Sequence, residues 1–189
     1  DDNASLTGVF TAEMPTMDKA QFHVESAAMG ENGTPILITQ SEYMRRMKDA
    51  SRYQQGMSFY GEMPDMYNVV LNADHRLIKE VLADMKSQLA DKLQPIESEL
   101  KGLHARHTAI EQSQKDKKPE ELTDADKEDM KKCNDDIAAQ EEARKQVWAE
   151  YGKQNPVVPQ LIDLALLQNG LLRGEALSKF INRSVDLIK

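Results

Sequence analysis

The chain has 189 residues, 40% of them hydrophobic and 30% charged, with a formal net charge of −8. That balance suits one good-sized domain, or a compact domain with an appendage, built on helices with long solvated faces rather than around one large core. Acids and bases are interleaved, so no basic block could displace counterions from phosphates, and no apolar run approaches the roughly 18 residues of a membrane span; nucleic acid and membrane are both disfavoured as partners.

Cys133 is the single cysteine, which rules out an internal disulfide, suits a reducing compartment and makes the cytoplasm the expected location. The chain opens DDNASLTG, with neither an initiator Met nor a signal peptide, and reads as a piece of something longer.

Residues 1–20 are a polar lead-in with Gly8 and Pro15, expected to be loop plus a short element. The next stretch alternates, with Phe22, Val24 and Ser26 on one face and His23 and Glu25 on the other, the pattern of a half-buried strand. A turn at Gly30–Gly33 and an apolar run over residues 35–39 predict a hairpin. Ser41 is placed to cap a helix reaching about Gln55. Tyr43, Met44 and Met47 share one side of it, with Arg45, Arg46 and Lys48 supplying charge. Met57, Met63 and Met66 continue the methionine enrichment through a loop that holds Gly56, Phe59, Tyr60 and Gly61. Such methionines are either core filler or a surface that adapts to varied apolar partners. Residues 66–72 predict a third strand. It ends in an Asx-rich turn where Asp74 is a plausible helix cap and His75 a packing or capping residue.

From Leu77 the pattern changes. Ile78, Leu82, Met85, Leu89, Leu93, Ile96, Leu100, Leu103, His107 and Ile110 step by three and four, crossing Pro95, where a kink or a new helix start is expected. A charged loop follows over residues 115–122. Thr123 and Asp126 then resemble a capping box opening a second helix, along which Met130, Cys133, Ile137, Gln140, Arg144, Val147 and Tyr151 repeat the spacing. Two seams about a short loop predict an antiparallel helical hairpin, with His107 beside Cys133 or Met130, Leu103 beside Ile137, and Trp148 anchoring its base. Glu97, His104, His107 and Glu111 can share one helix face. Their spacing is too loose for a zinc site, so a solvated face is the better reading and no metal is expected. Nucleophile-elbow, phosphate-loop, dinucleotide-fingerprint and HExxH motifs are all missing, so neither a catalytic residue nor a cofactor is expected in this chain.

Residues 156–189 read as two helices joined by a tight turn. The first is apolar nearly all round, with Asp163 the only charge in residues 161–167, and Gly170 is placed to end it. The second starts near Gly174 and carries the stripe Leu177, Phe180, Ile181, Val185 and Ile188. Two such helices cannot cover each other, so a second copy is the natural lid. The expected homodimer interface is a four-helix bundle of Leu161, Leu164, Leu167, Leu171, Leu172, Leu177, Phe180, Ile181, Val185 and Ile188. The fold class that follows is α+β: a small three-stranded sheet packed with helices, a long helical hairpin insertion, and two C-terminal helices. It is read as one domain, with an α/β subregion (1–76), the hairpin (77–153) and the dimerisation helices (156–189). A second reading makes the chain a structural coiled-coil adaptor that binds a helical partner through residues 83–153.

Three blocks, ITQSEYMRRMKDASRYQ (38–54), MYNVVLNADH (66–75) and LIDLALLQNGLLRGEALSKFINRSVDLI (161–188), resemble in sequence and order the C-terminal domain of HtpG, the bacterial heat-shock chaperone family. The resemblance implies a homodimerisation domain of an ATP-dependent chaperone without an active site of its own, ATP and Mg being held by an N-terminal domain outside this chain. It implies unfolded or partly folded client proteins as partners. It also gives Tyr43, Met44, Met47, Met57 and Phe59 a client-facing role, which favours the adaptable-surface reading of the methionines. Two features depart from the family pattern. The hairpin of residues 83–153 is longer than the family's usual connection, and NADHR stands where relatives often have NPDHP. The eukaryotic MEEVD tail is absent, so binding of tetratricopeptide co-chaperones is not implied.

Overall fold

The computed structural model describes residues 2–51, 63–115 and 123–188. Along them run α1 (Asp2–Glu13), β1 (Ala20–Ala27), β2 (Ile36–Gln40), α2 (Glu42–Ser51), β3 (Asp65–Asn72), α3 (Arg76–Gln114), α4 (Asp124–Gln154), α5 (Val157–Gln168) and α6 (Gly174–Ile188). The α+β class expected from sequence is the one observed. The chain divides into two compact units, residues 1–84 with 149–189, and residues 85–148.

In the first unit the sheet order is β1-β3-β2, with β1 parallel and β2 antiparallel to β3. The hairpin expected of β1 and β2 is therefore not formed, because β3 lies between them. The reason is burial. β3 places Val69, Leu71 and Asn72 out of solvent, whereas β1 alternates strictly and buries only Val24. The strand with most to bury takes the centre and the strands with polar outward positions take the edges. Register puts Val24 and Ile38 on either side of Val69, and Ser26 and Ile36 on either side of Leu71.

Residues 28–35 are held at the end of β3 by Asn72, which is fully buried. Its Nδ2 donates to the carbonyls of Gly30 at 2.9 Å and Thr34 at 3.2 Å, and its Oδ1 accepts from the N–H of Met29 and Asp74 at 3.1 Å each. All four polar valences of the amide are thus used. Asp74 does not cap the next helix, because its carboxylate accepts the Gly30 N–H at 2.8 Å. His75 does so instead: its Nδ1 accepts from the Leu77 N–H at 3.1 Å.

The apolar face of the sheet packs on α1 and α5. Helix α1 stands where a loop with a short element was expected. Leu6, Val9 and Phe10 are each at most 1% exposed and lie at i, i+3 and i+4. Gly8, Val9 and the two threonines lower its local propensity, so its helicity comes from burying that stripe. Near its end, Glu13 crosses Gly152 of α4, where a Cβ would lie 2.5 Å from Glu13 Cγ. Tyr151, read as the last residue of the hairpin seam, belongs to this unit. Its hydroxyl donates to Asp84 at 2.8 Å, beside the Val81 carbonyl, and accepts from Asn155 Nδ2 at 2.9 Å. Burial first, and then the bond to Asp84, raise the tyrosine pKa. Asn155 Oδ1 in turn accepts the N–H groups of Val157 and Val158 and so opens α5.

In the second unit α3 runs through Pro95 as one helix, so no new helix starts there. Met85, Leu89, Leu93, Leu100, Cys133 and Trp148 are its buried apolar residues, while Leu103, His107, Ile110, Met130 and Ile137 are only half-buried. The capping box forms: Thr123 Oγ1 accepts from the Asp126 N–H at 3.1 Å, and Asp126 Oδ2 accepts from the Thr123 N–H at 3.0 Å. Cys133 Sγ donates to the Leu103 carbonyl at 3.5 Å, and Arg106 pairs with Asp129 at 3.8 Å. Leu103 therefore meets Cys133, one turn away from the Ile137 expected. The Arg144 guanidinium lies 4.9 Å from the centre of the Trp148 ring.

Candidate association surface

The α5–α6 pair is built by local chemistry that the sequence displays. Gly170, at φ 68°, ends α5 as expected. Its N–H donates to Leu167 O at 3.0 Å, and the Leu171 N–H donates to Leu166 O at 2.9 Å, satisfying carbonyls that the helix leaves open. Gly174, at φ 60°, starts α6 where it was placed from sequence.

A polar clasp fixes one helix on the other. Arg183 reaches across to donate to Asp163 through one guanidinium nitrogen and to Gln160 Oε1 at 3.2 Å through Nε, while Gln160 Nε2 donates to Ser184 Oγ at 2.7 Å. Sequence reasoning missed this clasp. The signals were present: Asp163 is alone in an apolar run, and Arg183 lies outside the apolar stripe.

The clasp holds one flank of α6 on α5. On α6 no residue is buried; Leu177 and Phe180 are half-covered, while Ile181 is 51%, Val185 49% and Ile188 84% exposed. On α5, Leu164 is 47% and Leu167 38% exposed. Leu171 is half-covered. Of the residues expected at the interface, Leu161 and Leu172 are each 4% exposed, covered by their own chain. Beside Leu164 the surface dips into a groove of about 310 Å³, lined by residues 34–36 and one flank of α5, with no charged side chain.

The second candidate surface is α2, which also buries no residue. It is tied to the start of β3 by Lys48, which pairs with Asp65 at 2.8 Å. Tyr43 stands 68% exposed, and Met44 and Met47 are half-buried, neither core nor free. Met57 and Phe59, and the expected end of this helix near Gln55, lie outside the described residues.

Among the described residues no helix is long and apolar enough to cross a membrane, and no three His, Cys, Asp or Glu side chains converge as metal ligands. His107 faces Glu111 at 3.6 Å, an i,i+4 pair on an exposed helix face.

No protein-family model and no solved structure matches the chain. Curated proteins do. The chain is 48% identical over 187 residues to the chaperone protein HtpG of Bacteroides fragilis, spanning 97% of this chain and 27% of that protein. It is 45% identical over 184 residues to HtpG of Bacteroides thetaiotaomicron, again spanning 97% and 27%. To HtpG of Porphyromonas gingivalis it is 42% identical over 187 residues, spanning 99% and 27%. The chain thus covers about a quarter of the length of these relatives. The matches run through residues 83–153, so the long hairpin expected to depart from the family pattern falls within what these relatives match. The resemblance to HtpG holds along the whole chain, and the chain belongs to the HtpG chaperone family.

Proposed function

We propose that this chain is the C-terminal homodimerisation module of an ATP-dependent chaperone, and that it also offers α2 to unfolded client proteins. One observation carries the dimer reading: α6 has the clearest apolar stripe in the chain, yet its own chain covers none of its residues fully. The clasp through Arg183 and Gln160 holds one flank of α6 on α5, and Ile181 and Val185 on α6 stay exposed, as do Leu164 and Leu167 on α5. Apolar side chains left open in this way are most simply covered by a second copy about a two-fold axis. Because roughly half of each side chain is already covered, each contributes about 1 kcal/mol on association rather than the full 1.5–3. One buried charge is then enough to dissociate the pair. Leu164→Asp or Ile181→Asp should yield monomers in light scattering at a concentration where the parent chain is dimeric; variants that stay dimeric would sink this reading.

The client reading rests on the chemistry of α2: half-covered methionines on an amphipathic helix with an exposed tyrosine, tied to the start of β3 by the Lys48–Asp65 ion pair. Met side chains adapt to irregular apolar partners. Met44→Ser together with Met47→Ser should weaken capture of a denatured protein several-fold without changing the dimer. Capture at the parent level would assign those methionines to packing alone. ATP hydrolysis, on this proposal, belongs to a part of the chaperone that this chain does not include.

A further inference from the structure

We propose that the open edge of β1 takes up an extended stretch of non-native polypeptide as an added strand, so that the sheet holds clients in addition to α2. This inference rests on the client reading above and places a second contact on a different element.

The edge is open because of how β1 pairs. The Asp65 N–H donates to Lys19 O at 2.8 Å and the Ala73 N–H to Ala27 O at 2.9 Å, one at each end of the β1–β3 ladder. Backbone groups alternate sides along a strand, so odd-numbered residues from Lys19 to Ala27 address β3 and even-numbered ones point away from it. Ala20 fits that parity, since its N–H turns outward to Met17 O at 3.4 Å. The N–H and C=O groups of Phe22, Val24 and Ser26 point the same way, and among the described residues they have no hydrogen-bond partner. Sheet edges are ordinarily blunted by proline, a bulge, an inward charge or a short strand. β1 runs eight residues in unbroken register with β3, without proline, and its one charge, Glu25, is exposed. β2, at the other edge, is five residues long and follows Pro35.

Donors and acceptors repeating at every second residue are matched by one kind of partner, another extended backbone. Side chains narrow the choice. Phe22 stacks on Tyr67 with ring centroids 5.6 Å apart, and both rings stay half-exposed on the face that carries Val24 and Val69. An added strand meets this aromatic shelf on one face and the exposed Gln21, His23 and Glu25 on the other. Its occupant is therefore a segment that alternates apolar and polar residues, which a folded protein half-buries as a strand and an unfolded one leaves open. A net charge of −8 weighs against a second copy in that place.

The probe is a short dye-labelled peptide that alternates valine with threonine, titrated with the chain and read by fluorescence anisotropy. It is also made with the amide nitrogens of one alternate set methylated, and then of the other. An added strand presents only one set to β1, so one methylated peptide should bind like the parent peptide and the other at least tenfold more weakly. Antiparallel pairing makes the valines the sensitive set, and parallel pairing the threonines. Ser26→Pro removes an outward N–H while leaving the β3 ladder its bonds, and should weaken binding at least tenfold, whereas Ser26→Ala binds like the parent chain. The methylated pair needs no variant and decides alone should Ser26→Pro not fold. Equal binding of both methylated peptides, or no peptide binding by a chain that still captures a denatured protein, overturns the edge site and leaves the client reading of α2 standing. Undiminished binding by a folded Ser26→Pro places the strand off β1 and likewise overturns it. Self-association weakened by Ser26→Pro without peptide gives the edge to a second copy, against the inference. A chain that captures neither peptide nor denatured protein overturns both.

Discussion

Asn72 and Glu13 show opposite outcomes of burying a polar side chain. Asn72 is enclosed and fully bonded, and it joins the loop of residues 28–35 to the centre of the sheet. Removing its amide strands two carbonyls and two N–H groups at once. Asn72→Ala should therefore cost about 3 kcal/mol, the range for orphaning buried polar groups, read as a lower denaturation midpoint in urea at constant slope. Glu13 has a buried Oε1 with no hydrogen-bond partner among the described residues. Burial raises its pKa above 4.5, opposed by Lys153. For a carboxyl shifted upward, the favourable contribution is fully present below the unfolded value and is lost as pH rises through the folded one. Ionised Glu13 thus weighs against the fold at neutral pH. Glu13→Gln should raise the melting temperature at pH 7 and leave it unchanged near pH 4; an equal effect at both pH values would assign the change to packing against Gly152.

Elements whose signals are local were legible. Gly170 and Gly174 frame the α5–α6 turn as expected, the Thr123–Asp126 box opens α4, and the alternation of Phe22, Val24 and Ser26 gives the correct inward face of β1. Elements decided by distant partners were not. Nothing in residues 21–39 announces that a later strand will separate β1 from β2, because the preference arises from how much β3 has to bury. Helix α1 was lost to its own composition: Thr7, Gly8, Val9 and Thr11 argue against a helix that burial of Leu6, Val9 and Phe10 nevertheless enforces. Phe10→Ala should accordingly cost about 3–5 kcal/mol in chemical denaturation, the value for a large side chain removed from a packed core. A cost below 1 kcal/mol would mean that α1 is a peripheral addition. The association surface was half legible. The apolar stripe of α6 shows in the sequence, but periodicity alone could not tell that Leu161 and Leu172 would be covered within the chain, or that Arg183 would clasp α6 to α5.

At the scale of the whole molecule, the net charge of −8 and the open apolar side chains pull in different directions. Self-repulsion of acidic copies works against non-specific clustering, while in the proposed dimer the apolar side chains left open on α5 and α6 favour one closed contact between two copies. The HtpG relatives align through the hairpin as well as the terminal helices, so the unit of residues 85–148 is part of what these relatives match and not a separate addition to the chain. The central claim is self-association, and the mass of the chain in solution tests it most directly. Light scattering coupled to size exclusion at micromolar concentration should give twice the 21.4 kDa chain mass, and a steady 21.4 kDa across that range would contradict it.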